Sequence, residues 1–519
     1  MKALFSTFLL LCCLTGQAQK KMRILFVPLD DRPPCLQFTE RMGQIGGAEV
    51  VSPPKELLGK FMDLGQCDRI NAWIAGQDLK SFDAAILCLD MMTYGGLVGS
   101  RLFRTPETEA VKRLEIVRKI REKNPSIRVY AQNVIMRLAP TADGKNEAYR
   151  QQLADWAEVC VIPSKKEETA KLEKVIPADV LQDYKDARKR NLDVNLQVLN
   201  LVKKGTIDYL ILSQDDAKPV GIHVADRERL VAEIAKQKLG TNVAVQPGTD
   251  EVSLLLLART LNDYHRYTPT VKAVYSSDAM AAKIMPFEDK PLRQTVAFHI
   301  RATGSKEATG DRADLFFYVY ASRFETGRAV SFAREIAEAV KAGKKVIVAD
   351  IDPKGNVQGG DSLFTEALLR EGVLPDLNGY ASWNTAGNTI GTALPQGVVF
   401  GMSQRFLLKN KAFEAGIRTA QHWFLLHRVM DDYYFHNVVR ARANRYLRQV
   451  NRSAYLMTDT QRADVERYCL EQLIPYFQRL TDAYFTGRKL PCDRPAHLRF
   501  QLPWNRTFEA DIDFDLTCR

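Results

Sequence analysis

Tyr209-Leu210-Ile211-Leu212-Ser213-Gln214-Asp215-Asp216 reads as a strand whose apolar run stops at two carboxylates. Buried parallel strands appear in sequence as continuous apolar runs. Enzymes built on parallel sheets gather their sites at the carboxyl ends of the strands. Similar endings recur along the N-terminal half: Ile24–Leu29 before Asp30-Asp31-Arg32, Ala84–Leu89 before Asp90, and Ile127–Ala131 before Gln132-Asn133. Val159–Ile162 runs into Pro163-Ser164, Val243–Val245 into Gln246-Pro247-Gly248-Thr249-Asp250-Glu251, and Val271–Tyr275 into Ser276-Ser277-Asp278. An isolated buried carboxylate is costly, so acids repeated at one end of a sheet predict a polar cleft and an enzyme.

Helical stretches fall between these runs, near Cys35–Ile45, Cys67–Gln77, Pro106–Lys123, Asn146–Ala157, Ala178–Lys204, Ala225–Gln237 and Asp250–Tyr264. With Glu49–Ser52 as a further short strand, residues 20–290 predict an α/β domain of the (β/α)8-like barrel type. The alternative is an open doubly wound sheet, because the strand after Glu49 is short and Ala157–Ile162 also fits a helix end. Residues 291–400 read as a smaller α/β unit, with strands at Leu315–Tyr320 and Lys345–Ala349 and a helix at Ser331–Ala342. Residues 401–519 read as a helical C-terminal region, with long amphipathic stretches at Phe413–Asp432 and Asp459–Tyr484. From Pro491 an irregular tail carries Trp504 and alternating aromatics that suit a short strand.

The 519-residue chain is 46% apolar and 26% charged, with a net charge of +11, which is ordinary for a globular protein. Its basic residues lie along helices among acidic neighbours, as solvated faces do, and no nucleic-acid motif accompanies them. Met1–Gln19 has the pattern of a signal peptide: Lys2, an apolar stretch Ala3–Leu14, and Gly16-Gln17-Ala18 as a cleavage site. The protein is therefore expected to be exported, periplasmic or secreted. Cys12-Cys13 fits a lipoprotein less well, because Leu stands before it where small residues are wanted. No later segment reaches the ~18 apolar residues of a transmembrane helix. Seven cysteines remain after cleavage, and the C-terminal trio Cys469, Cys492 and Cys518 is the expected source of a disulfide.

Asp215-Asp216 is the expected catalytic pair. Where a strand unwinds into a loop, two adjacent carboxylates can both reach a cleft, and glycosidases need two carboxyl groups in different protonation states. The plainer alternative is a helix cap and turn. Asp250-Glu251 is a second pair, read as substrate-binding or as an acidic first turn of a helix. Asp30, Asp31 and Arg32 are read as site-lining, with Arg32 as a two-pronged partner for a carboxylate. Their alternative is a structural ion pair. Asp90 and Tyr94 are expected to bind hydroxyls beside Gly95-Gly96, which would let backbone approach a ligand. Asn133 and Arg137 follow the next strand and join the substrate-binding set. Asp350 to Asp361 imitates a calcium loop in spacing but places Lys354 at a ligand position, so Asp361 is read as facing a ligand instead. Trp383, Asn384 and Asn388, in Tyr380–Gly391, suit sugar stacking and hydrogen bonding. A connection that satisfies its own backbone fits equally well. His422, His427 and His436 lack metal-ligand spacing, and no Walker loop, G-x-G-x-x-G or G-x-S-x-G elbow occurs. No metal and no cofactor are expected.

Taken in order, Val27-Pro28-Leu29-Asp30-Asp31-Arg32-Pro33, Leu89-Asp90-Met91, Tyr94-Gly95-Gly96-Leu97-Val98, Ser100-Arg101 and Met136-Arg137 resemble the bacterial family called domain of unknown function 4127. Asp215-Asp216, Pro247-Gly248-Thr249-Asp250-Glu251, Gly359-Gly360-Asp361 and Trp383-Asn384-Thr385-Ala386-Gly387-Asn388-Thr389 extend that resemblance over nearly the whole mature chain. Ser382 departs from it, standing where Gly is expected. Leu210–Asp216 is also similar, over under ten residues, to the strand and twin aspartates of O-GlcNAcase-type β-N-acetylglucosaminidases. That likeness implies Asp215 as the residue orienting an acetamido group and Asp216 as the general acid. The resulting expectation is an exported glycosidase-like hydrolase, with N-acetylhexosamine-containing glycans as one substrate class. The alternatives are a non-catalytic glycan-binding envelope protein and a metal-dependent hydrolase using Asp30, Asp90, Asp215 and Asp250. The sequence leaves the oligomeric state open.

Overall fold

The computed structural model describes residues 21–141, 145–310, 312–322, 327–351 and 358–519. The expected signal peptide and Asp352, Lys354 and Gly355 of the calcium-like loop lie outside them.

The protein is a mixed α/β fold built on two open parallel sheets, with no closed barrel among the described residues. The first sheet contains β1 (Arg23–Val27), β2 (Glu49–Val51), β3 (Ala84–Cys88), β4 (Arg128–Ile135), β5 (Tyr209–Gln214) and β6 (Val243–Pro247). Their order is β2-β1-β3-β4-β5-β6, all parallel. The second contains β7 (Thr270–Tyr275), β8 (Lys306–Glu307), β9 (Leu315–Tyr320), β10 (Val346–Asp350) and β11 (Gly379–Ala381), in the order β11-β10-β9-β7-β8. Counted within each unit, both sheets begin 2-1-3-4-5, so one doubly wound plan occurs twice although the sequence shows no repeat.

Two sequence expectations are corrected here. Val271–Tyr275 does not extend the first sheet. It pairs with β9, from Val271↔Leu315 to Tyr275↔Val319, and is an inner strand of the second sheet. Val159–Ile162 is no strand, because Arg150–Val159 is helical. Losing these two runs removes the count of eight on which the barrel rested.

The helix Ala386–Phe406 joins the two units. Its Gly, Thr and Pro content masks a helix in sequence. Small residues here allow close packing: a Cβ at Gly397 would stand 2.2 Å from Ile347, and one at Gly391 2.1 Å from Glu251. After the helix Asp459–Phe485, the tail forms an antiparallel hairpin of β12 (Ala496–Gln501) and β13 (Asp511–Asp515). The disulfide Cys492–Cys518 ties its ends, as expected of the C-terminal trio, while Cys35, Cys67, Cys88, Cys160 and Cys469 are free.

Candidate functional site

The topological switch of the first sheet lies between β1 and β3, the place where doubly wound sheets commonly bind ligands. Asp30, Asp31 and Arg32 leave β1 there. The buried Arg32 donates to Asp30 through Nε at 3.0 Å and through a terminal nitrogen at 2.7 Å. It also grips Asp250 with two bonds of 3.2 and 2.8 Å, and donates to Glu509 at 3.2 Å. The tail closes over this knot. Trp504 Nε1 donates to Asp31 at 2.8 Å, and the guanidinium groups of Arg32 and Arg506 lie 4.7 and 4.5 Å from the Trp504 ring. Burial pushes the Asp31 carboxyl up to about 6, against the lowering effect of the Trp504 N–H. Asp30, Arg32 and Asp250 thus form a structural ion network that fastens the C-terminal tail to the first sheet.

Asp90, Tyr94 and Asn133 are interior residues, each essentially without solvent exposure. Asp90 Oδ2 accepts from Asn133 Nδ2 at 3.0 Å and from the Val134 N–H at 2.9 Å, tying β3 to β4. Burial raises its pKa to about 7. The Tyr94 ring is covered by the Arg190 guanidinium, 4.2 Å from its centroid. The expected close approach of Gly95 to a ligand is an approach to the chain itself: at φ +83°, an added Cβ would meet Gly65 N at 2.6 Å.

Asp215 and Asp216 do emerge together beyond β5. Arg101 holds Asp215 through Nε at 2.9 Å and a terminal nitrogen at 2.6 Å, while Arg137 holds Asp216 at 2.8 Å. Both arginines also reach Thr141 Oγ1, at 3.2 and 3.3 Å. The Asp215 side chain is 5% exposed and that of Asp216 38%, so Asp216 is the accessible member.

Beside them the Ala217 N–H donates to the Phe287 carbonyl at 3.0 Å, which brings Glu288 toward Asp216. Glu288 Oε1 accepts the Gly387 N–H at 2.8 Å, and Oε2 has no partner among the described residues. Burial, with Glu251 and Asp216 nearby, raises the Glu288 carboxyl to about 8. Glu251 is also buried. Its Oε2 accepts the Thr249 N–H at 2.9 Å and Asn388 Nδ2 at 2.6 Å, and its Oε1 lies 3.5 Å from His299 Nε2. His299 Nδ1 lies 2.8 Å from the Thr295 carbonyl, which accepts its proton. Glu251, Glu288, Asn388 and the Asp215-Asp216 pair therefore converge where the first sheet meets the N-terminus of Ala386–Phe406.

Three further expected site residues, Trp383, Asn384 and Asp361, also lie elsewhere or serve the fold. Trp383 does not offer its ring to a ligand: it is buried, with Nε1 bonded to Thr392 Oγ1 at 3.1 Å and its ring edge-on to Phe38. The Asn384 N–H donates to Thr389 Oγ1 at 3.3 Å, so this turn satisfies its own backbone. Asp361 caps the helix Ser362–Arg370 by accepting the Phe364 N–H at 2.8 Å, at the edge of the second sheet. Asp432 accepts the Ser382 N–H there at 2.7 Å from a π-helical stretch, Val429–Val439. Sequence reading left Arg101, Glu288, His299, Trp504 and Glu509 out of the site. Nothing local marks Glu288 or His299, because their roles depend on partners from distant segments. No group of three or more His, Cys, Asp or Glu among the described residues is arranged to hold a metal ion. The four aspartates of the metal-enzyme alternative are bound to Arg32, Asn133 and Arg101.

Fold and site define a two-unit parallel α/β protein with a cluster of largely buried acids at the junction of its units. The chain belongs to the family described as protein of unknown function DUF4127, whose model matches residues 24–513. No curated protein matches it. Among the described residues no helix is long and apolar enough to cross a membrane.

Proposed function

We propose that the protein is an exported hydrolase of glycans, working by carboxyl acid–base catalysis. The observation that carries this reading is Glu288, a buried carboxyl held up to about 8 beside Glu251 and Asp216. One carboxyl kept protonated at neutral pH next to an accessible carboxylate is the division of labour that glycoside hydrolysis requires. Glu288 is the general acid in this scheme. Asp216, held by Arg137 and partly exposed, is the nucleophile or base. Asp215, closed in by Arg101, positions its neighbour. This revises the expectation that Asp216 is the acid. The Cys492–Cys518 disulfide supports export, since such bonds persist in oxidising compartments.

The test is hydrolysis of a panel of nitrophenyl glycosides, N-acetylhexosaminides included, by wild type, Glu288→Gln and Asp216→Asn. Cleavage by wild type that falls by ~10²–10⁴ in Glu288→Gln supports the assignment. Full cleavage by that variant removes Glu288 as the acid. A second reading, a glycan-binding protein without catalysis, is favoured by the arginine pairing of both Asp215 and Asp216. It predicts glycan binding with no turnover on any member of the panel.

A further inference from the structure

From Tyr433 to Thr458 the chain holds five arginines and no acid. Arg442, Arg445 and Arg448 are exposed on the helix Arg440–Gln449, whose opposite side buries Ala443 and Leu447. Residues three apart share a helix face, so these arginines form one basic surface. Arg442 donates to Gln472 and to the Tyr476 hydroxyl of the helix Asp459–Phe485, at 3.2 and 3.1 Å. Arg445 and Arg448 make no ion pair among the described residues. Asp464 of the neighbouring helix is shared by Arg452 at 3.5 Å and Arg467 at 3.8 Å. A basic last turn complements a helix dipole, which accounts for Arg448 but not for Arg442.

Directly after this face the chain turns back, the Arg452 N–H donating to the Leu447 carbonyl at 2.8 Å. The loop that follows carries Tyr455 and Leu456, 66% and 73% exposed, and Val450 is exposed beside the turn. That loop is pinned on both sides of the pair. The Thr507 N–H donates to the Ala454 carbonyl at 3.0 Å, and the Met457 N–H to the Asn505 carbonyl at 2.9 Å. Between these points the Tyr455 and Leu456 N–H groups both bind Ser453 Oγ, at 3.1 and 3.2 Å. Two large apolar side chains are therefore held in water next to a basic surface, and burial within the chain recovers little of their area.

We propose that this surface docks on an anionic phospholipid membrane, with Tyr455 and Leu456 entering the headgroup–acyl boundary and Arg442, Arg445 and Arg448 facing the phosphates. Basic residues beside exposed aromatic and aliphatic ones are what a membrane interface takes up, and tyrosine settles at headgroup level. A soluble polyanion would engage the arginines but has no use for Leu456. A second copy meeting the same surface across a two-fold axis would set arginine against arginine. The proposal is independent of the hydrolase reading.

The experiment is flotation of the protein without Met1–Gln19, whose own apolar stretch would enter a bilayer. Vesicles of phosphatidylglycerol and phosphatidylethanolamine are compared with vesicles of phosphatidylcholine. Wild type is run beside Tyr455→Ser/Leu456→Ser, Arg445→Glu/Arg448→Glu and Lys171→Glu/Lys174→Glu, the last an equal charge change on the helix Lys166–Val175. All six positions are exposed, so the variants should fold, and thermal melts check this. The expected result is binding to the anionic vesicles at least about tenfold stronger than to phosphatidylcholine, and its release at high salt. An arginine near an anionic surface is worth about fivefold, so Arg445→Glu/Arg448→Glu should weaken binding by more than about twentyfold. Tyr455→Ser/Leu456→Ser should weaken it by at least about tenfold, and the lysine variant by less than about threefold. Absent or equal binding to the two kinds of vesicle, unchanged binding in Tyr455→Ser/Leu456→Ser, or as large a loss in the lysine variant as in the arginine variant overturns the proposal. Retention on heparin without vesicle binding makes a soluble polyanion the occupant and overturns it too.

Discussion

Asn388, in the first turn of the helix Ala386–Phe406, donates its side-chain amide to Glu251 Oε2 at 2.6 Å across 137 residues of chain. This bond joins the helix of the second unit to the loop after β6 of the first, and it places two independently suspected residues in one contact. Glu251 is fully buried, so its partners set both its position and the integrity of the junction. Asn388→Ala should cost about 1–3 kcal/mol, the range for leaving a buried polar group without its partner. Urea denaturation measures this, and an unchanged midpoint would show that the contact does not hold the units together.

Gly391→Ala tests the same junction from the opposite side. The added methyl would stand 2.1 Å from Glu251 Cγ, so the helix or the glutamate must move. We expect a loss of about 1–3 kcal/mol, together with a fall in any hydrolytic activity, because Glu251 is displaced. Gly416→Ala, inside the helix Lys411–Arg428 with no heavy atom within 4 Å of the new carbon, is the control and should instead raise the melting temperature, by about 0.5–1 kcal/mol of helix propensity.

The two aspartates after β5 should separate by stability. Asp215→Asn leaves the enclosed Arg101, 8% exposed, without its counter-ion and should cost about 3–5 kcal/mol. Asp216→Asn removes a pair whose acid is 38% exposed, and should cost under about 1 kcal/mol. Equal melting temperatures for the two variants would contradict the difference in burial. The mild cost at Asp216 also means that activity lost in that variant reports on chemistry and not on unfolding.

Stability should fall as pH rises from 6.5 to 8.5. Glu288 and Asp90 are raised to about 8 and about 7 by burial. A carboxyl whose folded pKa exceeds its unfolded value, about 4, binds more protons when folded. Its stabilising contribution is complete below the unfolded value and is lost as pH climbs through the folded one. His223, His422 and His427 are lowered by burial to about 4, 4 and 3, so they oppose this trend only below their unfolded value of ~6.5. Melting temperatures at the two pH values give the slope. Glu288→Gln, which cannot titrate, should flatten it, and an unaltered slope would mean that Glu288 does not hold its proton.

Reduction of Cys492–Cys518 should loosen the tail that covers Asp31 and Arg32. The bond closes a segment carrying Trp504, Arg506 and Glu509, and such closures contribute about 2–4 kcal/mol. A Cys492→Ser variant should melt lower than wild type under non-reducing conditions and match it once reductant is added. Trp504→Phe should have a separate effect, leaving Asp31 without its indole donor and raising that carboxyl further.

The strands were legible from the chain alone because burial of both sheet faces imposes continuous apolar runs, and Tyr209–Gln214, Ala84–Cys88 and Arg23–Val27 carry that mark. The acids that follow them were equally plain, as was the family. Which strands pair is a long-range matter that no local pattern encodes. Thr270–Tyr275 looks like its predecessors, yet it pairs with Leu315–Tyr320, and that one choice opens a would-be barrel into two sheets. The helix Ala386–Phe406 was hidden because its glycines serve contacts with Glu251 and Ile347 instead of helix propensity. The sequence by itself determined that carboxylates cluster at strand ends. Tertiary structure alone decided their states: Arg32 reaches Asp250 across 218 residues, Arg101 reaches Asp215 across 114, and Glu288 acquires its proton from burial between segments that meet only in the folded chain.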